Sequence, residues 1–323
     1  MKKQNRVASH KPGGFTLVEM LVVISIIGVL ASMLLPAISK AKARGNSAAC
    51  MSNLRQIGIA SGTYLGDNDL RFPYAGIRFT GGAQHLSWDD LLNHQLGFNY
   101  TKTQLRAGSS LTNYGVMKIL LCPSDRIKID NTGTAGYSQS FRRTYAMPRH
   151  NMGQVAIGNR TAAQAKADWP PSADNLTGIG LTWNHDDVTA NAWNNADAKW
   201  DTASDPDPVH QLYVAQDMVT ESSSTILMTE KPHGTSIAGN MLQAFIPAVT
   251  GHTNAYFHDG TTDPTQDRAT FSVGTRPKTY HNNKFNYLMT DGHVEFLDPQ
   301  KTLPAGNSSR TTQAHMWTIR PGD

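Results

Sequence analysis

The sequence predicts an α+β protein: a long N-terminal helix, transmembrane in its first half, packed on an antiparallel β-sheet globular domain with a loop-rich insertion. Three observations carry this expectation. Phe15 to Ile38 is an almost unbroken apolar run. Beyond it Cys50, Leu54, Ile57, Ser61 and Tyr64 recur at spacings of four, three, four and three, which is one stripe of a helix. From Gly66 onward Gly, Pro, Asn and Asp punctuate short apolar runs, the pattern of a turn-rich β domain.

The first fourteen residues are a basic leader holding Lys2, Lys3, Arg6 and Lys11 and no acid. The whole chain has 29 Lys and Arg against 25 Asp and Glu, so outside the leader the charges balance at 25 each. The basic pI therefore belongs to the leader, and no basic stripe with interleaved aromatics points to nucleic acid. Phe15 to Ile38 is 24 residues, about 36 Å as a helix and enough to cross a hydrocarbon core of about 30 Å. "AKA" at 41–43 imitates a signal-peptidase site, but this apolar run exceeds the 7–15 residues usual for a signal peptide. The leader favours a cytoplasmic N-terminus, although Lys40, Lys42 and Arg44 flank the other end. Glu19 is the anomaly, a carboxylate in the first turns of a membrane helix, where ionised groups are expensive. Pro36 is expected to kink that helix or to end its most regular part.

The helix is expected over 15–65, with 15–38 in the membrane, and the globular β-rich domain over 66–323. "SWDDLLNHQLG" (87–97) reads as a short helix with Ser87 as N-cap and Gly97 as stop. "VMKILLCPSD" (116–125) reads as a buried strand ending at Pro123, "RRTYAMPRH" (142–150) as a second and "STILMTE" (224–230) as a third. "TAAQAKAD" (161–168) reads as a short helix. In "KFNYLMTDGHVEFLD" (284–298) Asp291-Gly292 has the composition of a two-residue type I′ turn. That turn sets Met289 opposite Val294 and Tyr287 opposite Phe296, with Phe285, Tyr287, Met289, Val294 and Phe296 on one face.

The N-terminal motif has a family likeness. Gly14, then "FTLVEMLVVISIIGVLASMLLP", resembles the prepilin signature of type IV pilins and type II secretion pseudopilins. The resemblance implies cleavage between Gly14 and Phe15 by a prepilin peptidase, and methylation of the new Phe15 amine. It also implies that this amine meets Glu19 of a neighbouring subunit, neutralising both within a filament. The body resembles a bacterial family with an H-x9-DG C-terminal domain: His281, nine residues, then Asp291-Gly292. "SW…LL", "LLCPSD", "TYAM" and "TILMTE" stand in that family's order, with about 150–215 as an insertion outside the likeness.

What the resemblance implies is a structural subunit of a type IV pilus or type II secretion pseudopilus. At roughly 309 residues after cleavage, the chain is bulky for a main subunit, so a minor one is expected. Its implied location is the bacterial inner membrane, single-pass, N-terminus cytoplasmic and body periplasmic or extracellular, then a filament after assembly. The implied partners are the peptidase, other pilin-like subunits through the N-terminal helix, and the membrane.

The other constellations are weaker. Cys50 and Cys122 are too few for a disulfide scaffold; they pair if the body lies outside the cytoplasm, or are two small buried side chains. The insertion holds four of the six Trp, each of three followed by a polar residue, which suggests a glycan-binding or adhesin surface as the alternative function. Asp67, Asp69, Asp186, Asp187, Asp205 and Asp207 suit calcium by chemistry, but no segment follows the EF-hand pattern. No HExxH and no paired CxxC marks a zinc site, so no cofactor and no metal are expected. In an extended strand, His281 and Asp291 stand as much as about 33 Å apart, so the H-x9-DG residues are expected to serve structure. "GTSIAG" (234–239) only approaches a nucleophile elbow, no phosphate loop appears, and enzymatic activity is not expected.

Overall fold

The computed structural model describes residues 16–78, 85–101, 104–105, 117–125, 141–149, 178–184, 193–194, 199–200, 213–231, 238, 245–247, 281, 284–298 and 302. The expected helix at 161–168, the near-elbow at 234–239 apart from Ala238, and most of the insertion lie outside these residues. The chain divides into two units, Met1–Gly45 and Asn46–Asp323. Helix α1 (Leu17–Asp67) is continuous through the division, so the "GN" at 45–46 does not interrupt it.

From Met20 to Ile38, α1 is apolar on every side apart from Ser25 and Ser32. Leu17, Ile24, Leu30 and Leu35 are 79, 64, 55 and 67 % exposed, which suits a helix whose surroundings are themselves apolar. The helix is long and apolar enough to cross a membrane. The two hydroxyls within its apolar run are satisfied internally: Ser25 donates to the Leu21 carbonyl and Ser32 to that of Val29, each at 2.7 Å. Pro36 lies inside the helix, which continues on both sides of it.

In the second unit, α1 becomes amphipathic, and its stripe Cys50, Leu54, Ile57, Ser61 and Tyr64 is buried. Next come β1 (Gly76–Arg78), β2 (His85–Ser87), α2 (Trp88–Leu91), β3 (Tyr145–Arg149) and β4 (Thr182–Asn184). After them come β5 (Trp193–Asn194), β6 (Lys199–Trp200), β7 (Ile226–Glu230), β8 (Phe245–Pro247), β9 (Phe285–Met289) and β10 (Val294–Leu297). The main sheet has the order β10-β9-β7-β3-β8. Its first four strands are mutually antiparallel, and β8 joins β3 in parallel. β2-β1-β4 and β5-β6 form two smaller sheets. A long helix with an antiparallel sheet is the α+β class expected.

Gly58 marks where α1 meets the sheet. A Cβ there would stand 2.8 Å from Leu288 Cδ1 and 3.4 Å from the Gly292 carbonyl oxygen. A residue without a side chain lets the helix approach β9 and the following turn this closely. Every residue of β7 and β9 is buried, so both faces of these strands are covered.

Two expectations fail here. Residues 118–120 form a 3₁₀ turn rather than a strand. The carbonyls of Leu120 and Leu121 have partners without a ladder: the Thr144 amide donates to the first at 2.8 Å and Asn53 Nδ2 to the second at 3.1 Å. The hairpin register is also displaced by one residue, pairing Val294 with Leu288 and Phe296 with Asn286. The cause is the turn. The Gly292 amide donates to the Met289 carbonyl and the Met289 amide to that of His293, which makes Thr290, Asp291 and Gly292 a three-residue loop. Only Gly292 takes a positive φ, +92°, as in a type I turn closed by a glycine bulge rather than a type I′ turn. The loop is held from outside, because the Thr290 amide donates to the Thr225 carbonyl and Thr290 Oγ1 to that of Ser222. Val294 and Phe296 therefore share a face with Leu288 and Asn286, while Phe285, Tyr287 and Met289 share theirs with Glu295 and Leu297.

Candidate functional site

Among the described residues, two places concentrate polar chemistry, one at the start of α1 and one within the second unit.

At the helix start, Thr16 precedes the first helical residue and Glu19 stands three positions later. The Thr16 amide and Thr16 Oγ1 both donate to Glu19 Oε2 at 2.8 Å, and the Glu19 amide donates back to Thr16 Oγ1 at 3.3 Å. This reciprocal pattern is a capping box, which satisfies two of the four amides that every helix leaves open at its N-terminus. A carboxylate in the first turn is also favoured by the helix dipole. Glu19 thus has local work within its own chain. The expected cleavage residues Gly14 and Phe15 lie outside the described residues.

In the second unit, the motifs scattered along the sequence converge around the start of β3. Arg143 is fully buried, forms an ion pair with Asp89, donates to Ser87 Oγ at 2.9 Å and lies over the Trp88 ring. Ser87 starts α2, its amide donating to Asp90 Oδ2 at 2.8 Å, but the helix ends at Leu91 with Leu92 as its cap, so Gly97 is not its stop. Arg142 makes a two-pronged pair with Asp125, both contacts at 2.7 Å. Thr144 Oγ1 donates to Asp125 at 2.8 Å and accepts from the Cys122 amide at 3.0 Å. So "SWDD", "CPSD" and "RRTY" are three parts of one buried network. Such a network holds a single arrangement when every member has its partner.

Cys122 and Cys50 are joined by a disulfide with S–S 2.09 Å, tying α1 to this network across 72 residues of sequence. Tyr145 OH donates to the Cys50 carbonyl at 3.4 Å. Burial first, and then the nearby Glu230, push the Tyr145 and Tyr287 hydroxyls above the usual phenol range, so both stay protonated.

His281 reaches the same place. Its Nε2 lies 3.4 Å from Cys122 Sγ and 3.1 Å from Glu230 Oε1, with all three residues buried. With Nε2 protonated, it donates to the carboxylate. Glu230 also accepts from the Asn286 amide at 3.1 Å and from Asn286 Nδ2 at 3.0 Å. The His of H-x9-DG therefore joins the end of β7 to the disulfide, while Asp291-Gly292 turns the hairpin against α1. Asp291 pairs instead with His293, whose Nδ1 lies 2.6 Å from Asp291 Oδ1, with Nε2 at 3.3 Å from Glu295. Cys50, Cys122, Glu230 and His281 each offer a ligand atom, and these four atoms lie within 4.8 Å of one another.

Sequence reasoning passed over Thr16, Asp89, Asp125, Arg142, Arg143 and Glu230. Thr16 had a signal, since T-x-x-E before an apolar run is the capping-box pattern. Glu230 had a fainter one, an acid closing the apolar run "ILMTE". Of the proposed calcium ligands, Asp186, Asp187, Asp205 and Asp207 lie outside the described residues, and Asp67 accepts from Gln95 Nε2 at 3.2 Å.

No curated protein and no solved structure matches the chain. Residues 10–35 match the family model of the prokaryotic N-terminal methylation motif, the segment that holds Gly14, Phe15 and the Thr16–Glu19 cap. The chain thus carries the N-terminal motif of a prepilin-like precursor, followed by a helix long and apolar enough to be its membrane anchor.

Proposed function

We propose that this protein is a pilin-type structural subunit, cut between Gly14 and Phe15, methylated on Phe15 and assembled through its N-terminal helix into a type IV pilus or type II secretion pseudopilus. The observation that carries the proposal is the methylation motif over 10–35. It is seated on a helix whose apolar side chains from Leu17 to Ile38 are exposed. Exposed apolar surface of this extent needs an apolar partner. Lipid supplies it before assembly, and the helices of neighbouring subunits supply it afterwards. A minor position in the filament suits the size of the body. The body stands on the far side of the inner membrane from the leader.

Glu19 then has two tasks in succession. In the precursor it caps the helix through Thr16. After cleavage its carboxylate also faces the new positive amine at Phe15 of a neighbouring copy. The two tasks separate by substitution, because Gln at this position keeps a capping box while removing the charge. Glu19→Gln is expected to insert in the membrane and retain its helix, yet to be lost from sheared filaments, and Glu19→Ala to behave likewise. Normal filament recovery of Glu19→Gln would show that the cap is the whole role of Glu19.

A further inference from the structure

Within the second unit, four side chains from four separate segments meet at one buried point: Cys50 on α1, Cys122 after the 3₁₀ turn, Glu230 at the end of β7 and His281 before β9. We propose that reduction of the Cys50–Cys122 disulfide turns this point into a tetrahedral zinc site, so that either a covalent bond or a metal ion closes the lock of the body. The proposal is independent of the pilin reading.

The donor set is the first support. Two thiolates, one imidazole nitrogen and one carboxylate oxygen are the ligands zinc takes in closed sites. All four are buried and lie within 4.8 Å of one another. Distances are the second. Zinc bonds of about 2.3 Å to sulfur and about 2.0–2.2 Å to nitrogen and oxygen give a tetrahedron with S···N edges of about 3.5 Å and N···O edges of about 3.3 Å. His281 Nε2 lies 3.4 Å from Cys122 Sγ and 3.1 Å from Glu230 Oε1. Two edges of the tetrahedron, both at His281 Nε2, are therefore already close to their required lengths. The sulfurs must part from their bonded distance to about 3.8 Å, the S···S edge of the same tetrahedron. Breaking their bond permits that movement.

The surroundings supply a second layer of support. Asn286 holds Glu230 through its amide and Nδ2, and Thr144 Oγ1 holds the Cys122 amide. Such contacts orient ligands before the metal arrives. The exchange balances. A dithiol gives two electrons and two protons to the S–S bond, leaving two thiols, and is itself oxidised to a disulfide. Zn²⁺ then displaces the two thiol protons, and any proton on His281 Nε2 or Glu230, to solvent. In an oxidising compartment the disulfide prevails; in a reducing one the metal takes its place.

The test uses the full chain in detergent micelles, titrated with Co²⁺ before and after reduction by a trialkylphosphine. Expected is one Co²⁺ per reduced chain, with thiolate-to-cobalt charge-transfer absorption and tetrahedral d–d bands, bleached by Zn²⁺. The oxidised chain gives none of these signals. His281→Gln and Glu230→Gln each weaken Co²⁺ binding by roughly tenfold or more. If a variant fails to fold, the oxidised and reduced wild-type chains decide between them. If the reduced chain unfolds, recovery of its circular dichroism by Co²⁺ supports the site. A reduced chain that takes up no Co²⁺, or one that Co²⁺ does not refold, overturns the proposal. So does a spectrum without the thiolate band, or Co²⁺ binding that the folded His281→Gln variant leaves unchanged.

Discussion

Leu30 and Leu54 sit on one continuous helix, and the first is 55 % exposed while the second is fully buried. The N-terminal half of α1 presents apolar side chains on every side and needs partners from outside the chain. The C-terminal half presents one stripe and finds its partners within the second unit. The same secondary structure is thus exposed in one half and part of the folded core in the other. The difference lies in both the density and the periodicity of the apolar residues, a nearly unbroken run in the first half and a single stripe in the second.

The sharpest way to break this comparison is at the polar network around β3, since stability is expected to depend on it and not on the apolar half of α1. Arg143→Met removes the guanidinium facing buried Asp89 and is expected to destabilise the chain by about 3–5 kcal/mol, because half a buried ion pair is worse than none. Adding Asp89→Leu is expected to recover much of that loss. Equal stabilities for the single and double variants in denaturant titration would remove the network from the description of the fold.

Next in size is the matched leucine pair. Leu54→Ala is expected to cost about 2–5 kcal/mol through lost burial and the cavity left behind. Leu30→Ala is expected to stay within about 0.5 kcal/mol in the same denaturant titration in detergent, as an exposed substitution should. If both leucines cost the same, the two halves do not differ as described.

The smallest effect is pH dependence at the hairpin. Burial alone would lower the His293 pKa, but hydrogen bonds and charge from Asp291 and Glu295 outweigh it and raise the value above its ordinary 6.5. A raised folded pKa adds stability that is complete below the unfolded value and fades as pH climbs through the folded one. The melting-temperature difference between wild type and His293→Gln should therefore shrink from pH about 6 to about 8. The side chain is 40 % exposed, so the effect is expected to be small and sensitive to salt. A difference that is flat or that grows with pH would contradict it.

The sequence shows α1 and its buried stripe clearly because both are periodic and local. β3, β7 and the β9–β10 hairpin are legible as apolar runs bounded by turn residues. The hairpin register is not, since both faces of β9 are buried and alternation carries no information there. The choice of turn depends on one backbone angle at Gly292. "ILLC" imitates a strand, but the Asn53 side chain and the Thr144 amide, both distant in sequence, satisfy its carbonyls. The network around β3 is the least legible part. Cys50, Cys122, Glu230 and His281 span most of the chain, and no local spacing brings them together. At the start of α1, the T-x-x-E cap is legible locally, because its two partners stand three residues apart ahead of an apolar run.

The most direct measurement is mass spectrometry of the N-terminus of the protein isolated from its native membrane. A mature chain that begins at methylated Phe15 is the predicted result. A chain beginning at Met1, or near residue 44 after a signal-peptidase cut, would contradict prepilin processing.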